Sequence, residues 1–414
     1  MVAVANLQYG WTLFVKPIDD RYHWGVAAIS VAYTTFIVIE TWLVPFEGYL
    51  VDRFGPRLLV SVGGMLVAVS WWLNSVASEL LVLYAGMAIG GIGAGIVYGT
   101  AVGAALKWFP DHRGLASGLT AAGFGAGSAL TIIPIASMIG NSGYQSAFLT
   151  FGLAQGVIVL LAAQLMRTPR PGEIPAVVSR AHQVVRDFAP FDMLRQPVFW
   201  VMFAVMTMVG VGGNMATALL APVASDFNVD KVPVSMIGLT LPALTFALSL
   251  DRIMNGITRP ITGWVSDHVG REPTMTVMFA IQALTILLLI NTAHNPILFV
   301  IFSGLAFFSY GEIFSLFPAM SGDLFGRKFA TTNYGLLYMS KGVASLIVPL
   351  GAYIQSQTGS WLPVFSIAIV LNAIASLMCA TILPRAAQAH CLHAAPAGHQ
   401  DTPSAVPAVV GRSR

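Results

Sequence analysis

Two cations stand inside stretches that are otherwise apolar. Arg259 lies in Asn255-Gly256-Ile257-Thr258-Arg259-Pro260, and Lys341 in Tyr338-Met339-Ser340-Lys341-Gly342-Val343-Ala344. In the centre of a membrane helix an Arg costs at least about 2.5 kcal/mol, so such a residue lines a cavity with a partner. Two acids, Asp251 and Glu312, fall in similar apolar surroundings and are the available charge partners or proton carriers. Arg252, Asn255 and Arg259 follow at i, i+3 and i+7 and share one helical face. Asp251 points about 100° away from Arg252, and Arg252 is expected to pair with Glu312 or Asp251. Three cations against these two acids leave the site with one positive charge in excess, which suits a small anion. Tyr9, Trp11, Phe124, Tyr310, Phe314, Tyr334 and Tyr338 lie in stretches that would line the same cavity. There they would exclude water and strengthen each charge–charge contact; for any one of them, ordinary helix packing is the competing explanation. No nucleophile–base pair or metal motif is visible, and Cys379 and Cys391 lack ligand spacing. No catalytic residue, metal or cofactor is therefore expected.

These side chains need a scaffold, and composition names its kind. The chain has 414 residues, 56% hydrophobic and only 9% charged. A soluble globule carries roughly 25% charged residues, so this is an integral, all-α membrane protein, with no sign of nucleic-acid binding. Runs long enough for the bilayer core, about 20 apolar residues, fall near 26–50, 58–78, 80–106, 114–137, 145–166, 198–224, 235–265, 273–293, 295–320, 330–357 and 360–383, after a shorter one at 1–16. The pattern predicts an N-terminal six-helix bundle (1–166), a polar cytoplasmic linker (167–197), a second six-helix bundle (198–383) and a disordered tail (384–414). Fifteen of the 21 Lys and Arg fall on one side of this arrangement, three on the other and three inside helices. By the positive-inside rule both termini are cytoplasmic. The first run spans only about 15 residues before Lys16 and Pro17, too short at 1.5 Å per residue to cross. It is expected to be truncated, with residues missing upstream of Met1, or else to thin the bilayer around it.

An internal repeat relates the two halves. Gly48-Tyr49-Leu50-Val51-Asp52-Arg53-Phe54-Gly55-Pro56-Arg57 recurs as Gly263-Trp264-Val265-Ser266-Asp267-His268-Val269-Gly270-Arg271. Each copy ends an apolar helix and opens a cytoplasmic loop, so the halves are parallel repeats, the arrangement of the major facilitator superfamily. Asp52, Arg53, Arg57, Asp267 and Arg271 are the expected gating residues, latching the halves at the cytoplasmic face. Aligning Pro45 with Pro260 places Val44 opposite Arg259, and Lys341 falls opposite Gly125 to Gly127. The fold requires neither cation, so both are assigned to function.

The chain resembles the oxalate/formate antiporter family over residues 1 to about 384. The resemblance rests on Gln8-Tyr9-Gly10-Trp11-Thr12, Asp52 to Arg57, Trp108-Phe109-Pro110-Asp111-His112-Arg113-Gly114-Leu115-Ala116-Ser117-Gly118, Asn255-Gly256, Arg259-Pro260 and Lys341 before Ala344-Ser345. It implies that Arg259 and Lys341 bind the two carboxylates of oxalate and that Gln8 and Tyr9 belong to the same site. Tyr310 and Tyr338 stand where the best-known members look to have Trp, and Glu312 has no place in the family's pattern.

The expected activity is exchange of small carboxylates, oxalate for formate, by alternating access across the cell (inner) membrane. A dianion swapped for a monoanion would make it electrogenic. The alternative is proton-coupled monocarboxylate symport using Glu312 or Asp251. A multi-pass, monomeric protein in the lipid bilayer is expected.

Overall fold

The computed structural model describes residues 1–109, 113–169, 173, 187–236, 238–326 and 329–394, apart from the side chains of Tyr49, Asp52, Leu106, Lys107, Arg113, Gly114, Leu115, Ala330, Thr331, His393 and Ala394. The linker's remaining residues and the tail beyond 394 lie outside this range.

The first half contains α1 (Asn6–Tyr9), α2 (Thr12–Tyr22), α3 (Val26–Trp42), α4 (Val44–Phe54), α5 (Pro56–Val76), α6 (Leu80–Trp108), α7 (Arg113–Gly125), α8 (Ile132–Ser142) and α9 (Tyr144–Ala163). A short α10 (Pro190–Leu194) leads into α11 (Pro197–Asp226) and a hairpin of β1 (Pro233–Met236) and β2 (Leu239–Pro242). Then follow α12 (Ala243–Val269), α13 (Arg271–Thr292), α14 (Pro296–Gly311), α15 (Ile313–Phe325), α16 (Ala330–Ser345), α17 (Ile347–Thr358) and α18 (Leu362–Ala394). Among the described residues, eight helical stretches are by themselves long and apolar enough to cross a membrane. Of the other expected spans, three are the broken helix pairs α1/α2, α3/α4 and α7/α8, and one is the continuous α12, which carries several charges.

Proline accounts for several breaks. It has no N–H, and its ring clashes with the carbonyl four residues back. Pro45 follows the end of α3, Pro134 the turn between α7 and α8, and Pro349 the end of α16. The repeated loop is legible in backbone geometry too. Gly55 (φ 82°, ψ 161°) and Gly270 (φ 107°, ψ 156°) take the same conformation at equivalent points of the two copies, a region essentially closed to residues with a Cβ.

Three expectations need correction. Helix does not begin at 235: Pro233–Met236 and Leu239–Pro242 form an antiparallel strand pair, with Val234 opposite Leu241 and Ser235 opposite Thr240. Pro233 and Pro242 bracket it, and Gly238 at φ 75° supports its turn; a short apolar run does not by itself distinguish strand from helix. The first run does not stop at Lys16, because α2 continues through Pro17 to Tyr22. Pro17 is the sixth residue of α2, inside the helix, and removes the hydrogen bond to the Leu13 carbonyl without ending it. The chain is not irregular from Pro384, since α18 passes through that residue to Ala394.

Two of the seams between the halves each carry one of the singled-out cations. At the first, α7 packs on α12 through small residues: a Cβ on Gly256 would meet the Ala126 Cβ at 2.6 Å. At the second, α3 and α4 pack on α16. Thr34 Oγ1 donates to the Ser345 carbonyl at 2.8 Å and Trp42 Nε1 to that of Met339 at 3.2 Å. Small residues let membrane helices approach this closely. On the other side of the first helix, Lys16 Nζ donates to Ser225 Oγ at 2.6 Å, tying α2 to α11.

Candidate functional site

Arg259 lies on α12 at the first seam and is 1% exposed. Its Nη1 donates to the Ala121 carbonyl at 2.7 Å, across the seam. Nη2 donates to Asn255 Oδ1 at 2.8 Å and to the Tyr9 hydroxyl at 3.2 Å, and Nε donates to the Asn255 carbonyl at 3.2 Å. A guanidinium has five N–H groups, so one N–H on Nη1 is left for a ligand. The i, i+4 spacing of Asn255 and Arg259 on one helix face makes the local bond possible.

Lys341 lies on α16 at the second seam and is fully buried. Its ammonium donates to Glu40 Oε2 at 2.8 Å, the Tyr338 hydroxyl at 3.0 Å and Gln8 Oε1 at 3.2 Å. Tyr338 stands one turn earlier on the same helix, whereas Gln8 and Glu40 belong to the opposite half.

One ring joins the two cations. The Phe314 centroid lies 4.4 Å from Arg259 Cζ and 5.7 Å from Lys341 Nζ. The charges can therefore be no farther apart than the sum of these distances. Their repulsion is moderated by the negative face of the ring and by Glu40. Around Phe314 the aromatic residues form a continuous set. Tyr310 and Tyr338 contact it edge-on at 5.5 and 6.2 Å, Tyr334 packs on Tyr338 at 5.6 Å, and Tyr9 contacts Phe124 at 5.5 Å. Trp11 is buried, but no ring contact joins it to this set among the described residues.

Arg252 is also buried, two turns from Arg259, and its guanidinium sits over the rings of Tyr9 at 4.5 Å and Phe307 at 4.0 Å. None of its nitrogens makes a hydrogen bond, and among the described residues no ion pair joins it to Asp251 or Glu312. The expected local pair is replaced by a cation held between two aromatic faces. Asp251 is buried beside Ser303. Glu312 is buried at the junction of α14 and α15 with Cys379 of α18 as an electrostatic neighbour, and neither of its oxygens is hydrogen-bonded. Among the described residues no contact joins it to Arg259 or Lys341.

Of the residues expected to gate, Asp267 and Arg271 pair at 2.6 Å, and Arg271 also reaches Asp323 of α15 at 3.4 Å. These bonds tie α12, α13 and α15 of one half together and do not cross to the other. Arg53 and Arg57 are exposed. The Asp52 side chain, with Asp111, His112 and Arg327, lies outside the described residues.

Glu40 was not singled out from the sequence, nor were Tyr98 and Asn214. Tyr98 stacks on Tyr338 at 5.3 Å, and Asn214 donates to the Lys341 carbonyl at 3.0 Å. The signal for Glu40 was present, since it is an acid well inside the apolar run 26–50 and obeys the rule that flagged Lys341. With it the site holds one more negative charge than Asp251 and Glu312 supply.

The pattern of the Major Facilitator Superfamily matches residues 1–255 and 237–404. The chain is 35% identical over 391 residues, 93% of its length and 89% of the relative's, to the oxalate:formate antiporter of Oxalobacter formigenes. It belongs to the oxalate/formate antiporter family of the major facilitator superfamily. More distant relatives include monocarboxylate transporter 13 of Bos taurus, 24% identical over 86% of this chain and 79% of that one. Monocarboxylate transporter 11 of Homo sapiens is 26% identical over 87% and 76%. As a member of this superfamily the protein is a multi-pass membrane transporter and not an enzyme. Arg259 and Lys341 lie on two of the seams between the halves.

Proposed function

We propose that this protein exchanges small carboxylates, oxalate against formate, across the cytoplasmic membrane by alternating access, with both termini on the cytoplasmic side and the monomer as the working unit. One observation carries the reading: Arg259 and Lys341 are buried on either side of Phe314, and each is bonded to a first-helix residue of the opposite half. A dicarboxylate bridging the two cations would neutralise charge at both seams at once. Buried like charges resist closure of the halves around them, and their neutralisation permits it. Tyr9 and Gln8 would report the bound anion to the N-terminal half, and the surrounding rings would keep water from weakening the attraction. Similarity to an oxalate:formate antiporter supports the choice of anions.

Labelled oxalate uptake into proteoliposomes loaded with formate tests the proposal, with unloaded vesicles as control. Uptake that requires internal formate is the expected result; uptake indifferent to internal formate would remove exchange from the reading.

A second reading, proton-coupled monocarboxylate symport through Glu312 or Asp251, draws support from the burial of both acids without hydrogen bonds to their oxygens. Uptake driven by an imposed pH gradient and lost in Glu312→Gln or Asp251→Asn would favour it over exchange.

A further inference from the structure

All three N–H donors of Lys341 are engaged, by Glu40, Tyr338 and Gln8. An ammonium has no fourth donor, so a substrate carboxylate reaches Lys341 only at the expense of an acceptor already in place. If Glu40 yields, it becomes a buried carboxylate without its cation, a state that is neutralised rather than carried as charge. If Gln8 or Tyr338 yields, two carboxylates share one ammonium, and like charges at that range drive a proton onto one of them. Both routes lead to the same balance. Glu40 is also poorly served by other donors: it is fully buried, and its Oε1 has no hydrogen bond.

We propose that Glu40 is an internal carboxylate that competes with substrate for Lys341, and that it takes up one proton when substrate binds. The proton comes from water on the side to which the site is open, converts the Glu40 carboxylate to the acid, and leaves when the Glu40–Lys341 pair reforms on release. The inference rests on Lys341 as a carboxylate site. It gives the empty carrier a second state of the same site in which Lys341 is already neutralised.

The titratable and charged groups around Glu40 are Lys341, Tyr338 and Tyr334 on α16, Tyr98 on α6, Tyr310 on α14, Tyr33 on its own helix and Glu47 on α4. Arg259 on α12 lies against Phe314 and bonds Tyr9 of α1, whose ring carries Arg252. Phenols ionise near pH 10 in water, so between about pH 5 and 8 a carboxylate is the group that can exchange a proton here. Glu47 is the other acid on this side. A Cβ on Gly95 would meet the Glu40 backbone carbonyl oxygen at 2.7 Å and Glu47 Oε2 at 2.8 Å, and the charges of Glu47 and Glu40 are felt by one another.

The test is calorimetric titration of the purified full-length protein with oxalate, and separately with formate, in two buffers of different ionisation enthalpy. The wild type should take up about one proton per anion above neutral pH, with affinity weakening toward tenfold per unit rise in pH. Glu40→Gln should bind with no linked proton and, at about pH 8, at least threefold more tightly than the wild type. Absence of proton uptake in the wild type, or uptake unchanged in Glu40→Gln, would overturn the proposal. If the wild type bound neither anion, the substrate assignment would fail, and infrared spectroscopy without ligand would decide Glu40 separately. Lys341→Gln should gain a protonated-carboxyl C=O band that is missing from the Lys341→Gln, Glu40→Gln double variant. No such band would refute the role of Glu40 whatever the substrate.

Discussion

Gly125 stands directly against the side chain of Arg259: a Cβ built on Gly125 would lie 2.9 Å from Arg259 Cζ and 2.6 Å from Asn255 Oδ1. The guanidinium cannot yield easily, because the Ala121 carbonyl and both the side chain and carbonyl of Asn255 hold it. The absence of a side chain on α7 is what lets an α12 cation lie at the seam.

Gly125→Ala should therefore push Arg259 out of register and reduce transport by about tenfold or more, in line with the cost of a small misplacement of a positioned group. Gly118→Ala is the internal control, since its Cβ would meet nothing closer than 3.7 Å. Initial uptake rates, normalised to protein in the membrane, check both. Equal rates for the two variants would show that Gly125 is not making room for Arg259.

Arg259→Gln and Lys341→Gln should each abolish exchange while the protein still inserts. Arg259→Lys should also fail, because an ammonium cannot hold the fan of contacts that the guanidinium makes to Tyr9, Asn255 and Ala121. The readout is uptake beside detergent-extracted yield. Wild-type exchange in either Gln variant would rule out the two-cation site.

Tyr9→Phe removes one 3.2 Å hydrogen bond to Arg259 and leaves the ring against Phe124 and beneath Arg252. A hydrogen bond to a charged group contributes about 1.5–3 kcal/mol, so oxalate affinity should weaken by no more than about a hundredfold. Binding titration measures it. A total loss would mean that the hydroxyl does more than steady Arg259.

The proposed orientation can be read chemically. Cys379 is buried and Cys391 exposed, so a Cys391→Ser background leaves little native reactivity toward a membrane-impermeant maleimide. On it, Arg57→Cys should label only from the cytoplasmic side and Lys231→Cys only from the outside. Labelling of both from one face would reverse or refute the topology.

Arg259 and Lys341 were legible in the residue string because a cation in an apolar run is costly enough to demand a reason, and the repeat showed that the fold itself does not need them. The membrane class and most of the helical runs were equally legible, since a stretch of about 20 apolar residues is a local property. Residues 233–242 were not, because a short apolar run bounded by prolines carries no period long enough to separate hairpin from helix.

Partnership lay beyond the sequence altogether. Glu40 is 301 positions from Lys341, and nothing local in either helix says that they meet. Arg252 turned to two aromatic faces instead of its neighbouring acid for the same reason: helix geometry sends adjacent side chains in different directions, and the packing of other helices determines what each one finds. Composition and spacing determined that charge would be buried in this protein and roughly where along each helix. Only the docking of α3 on α16 and of α7 on α12 decided which charges share a site, because that depends on how small residues let distant helices approach.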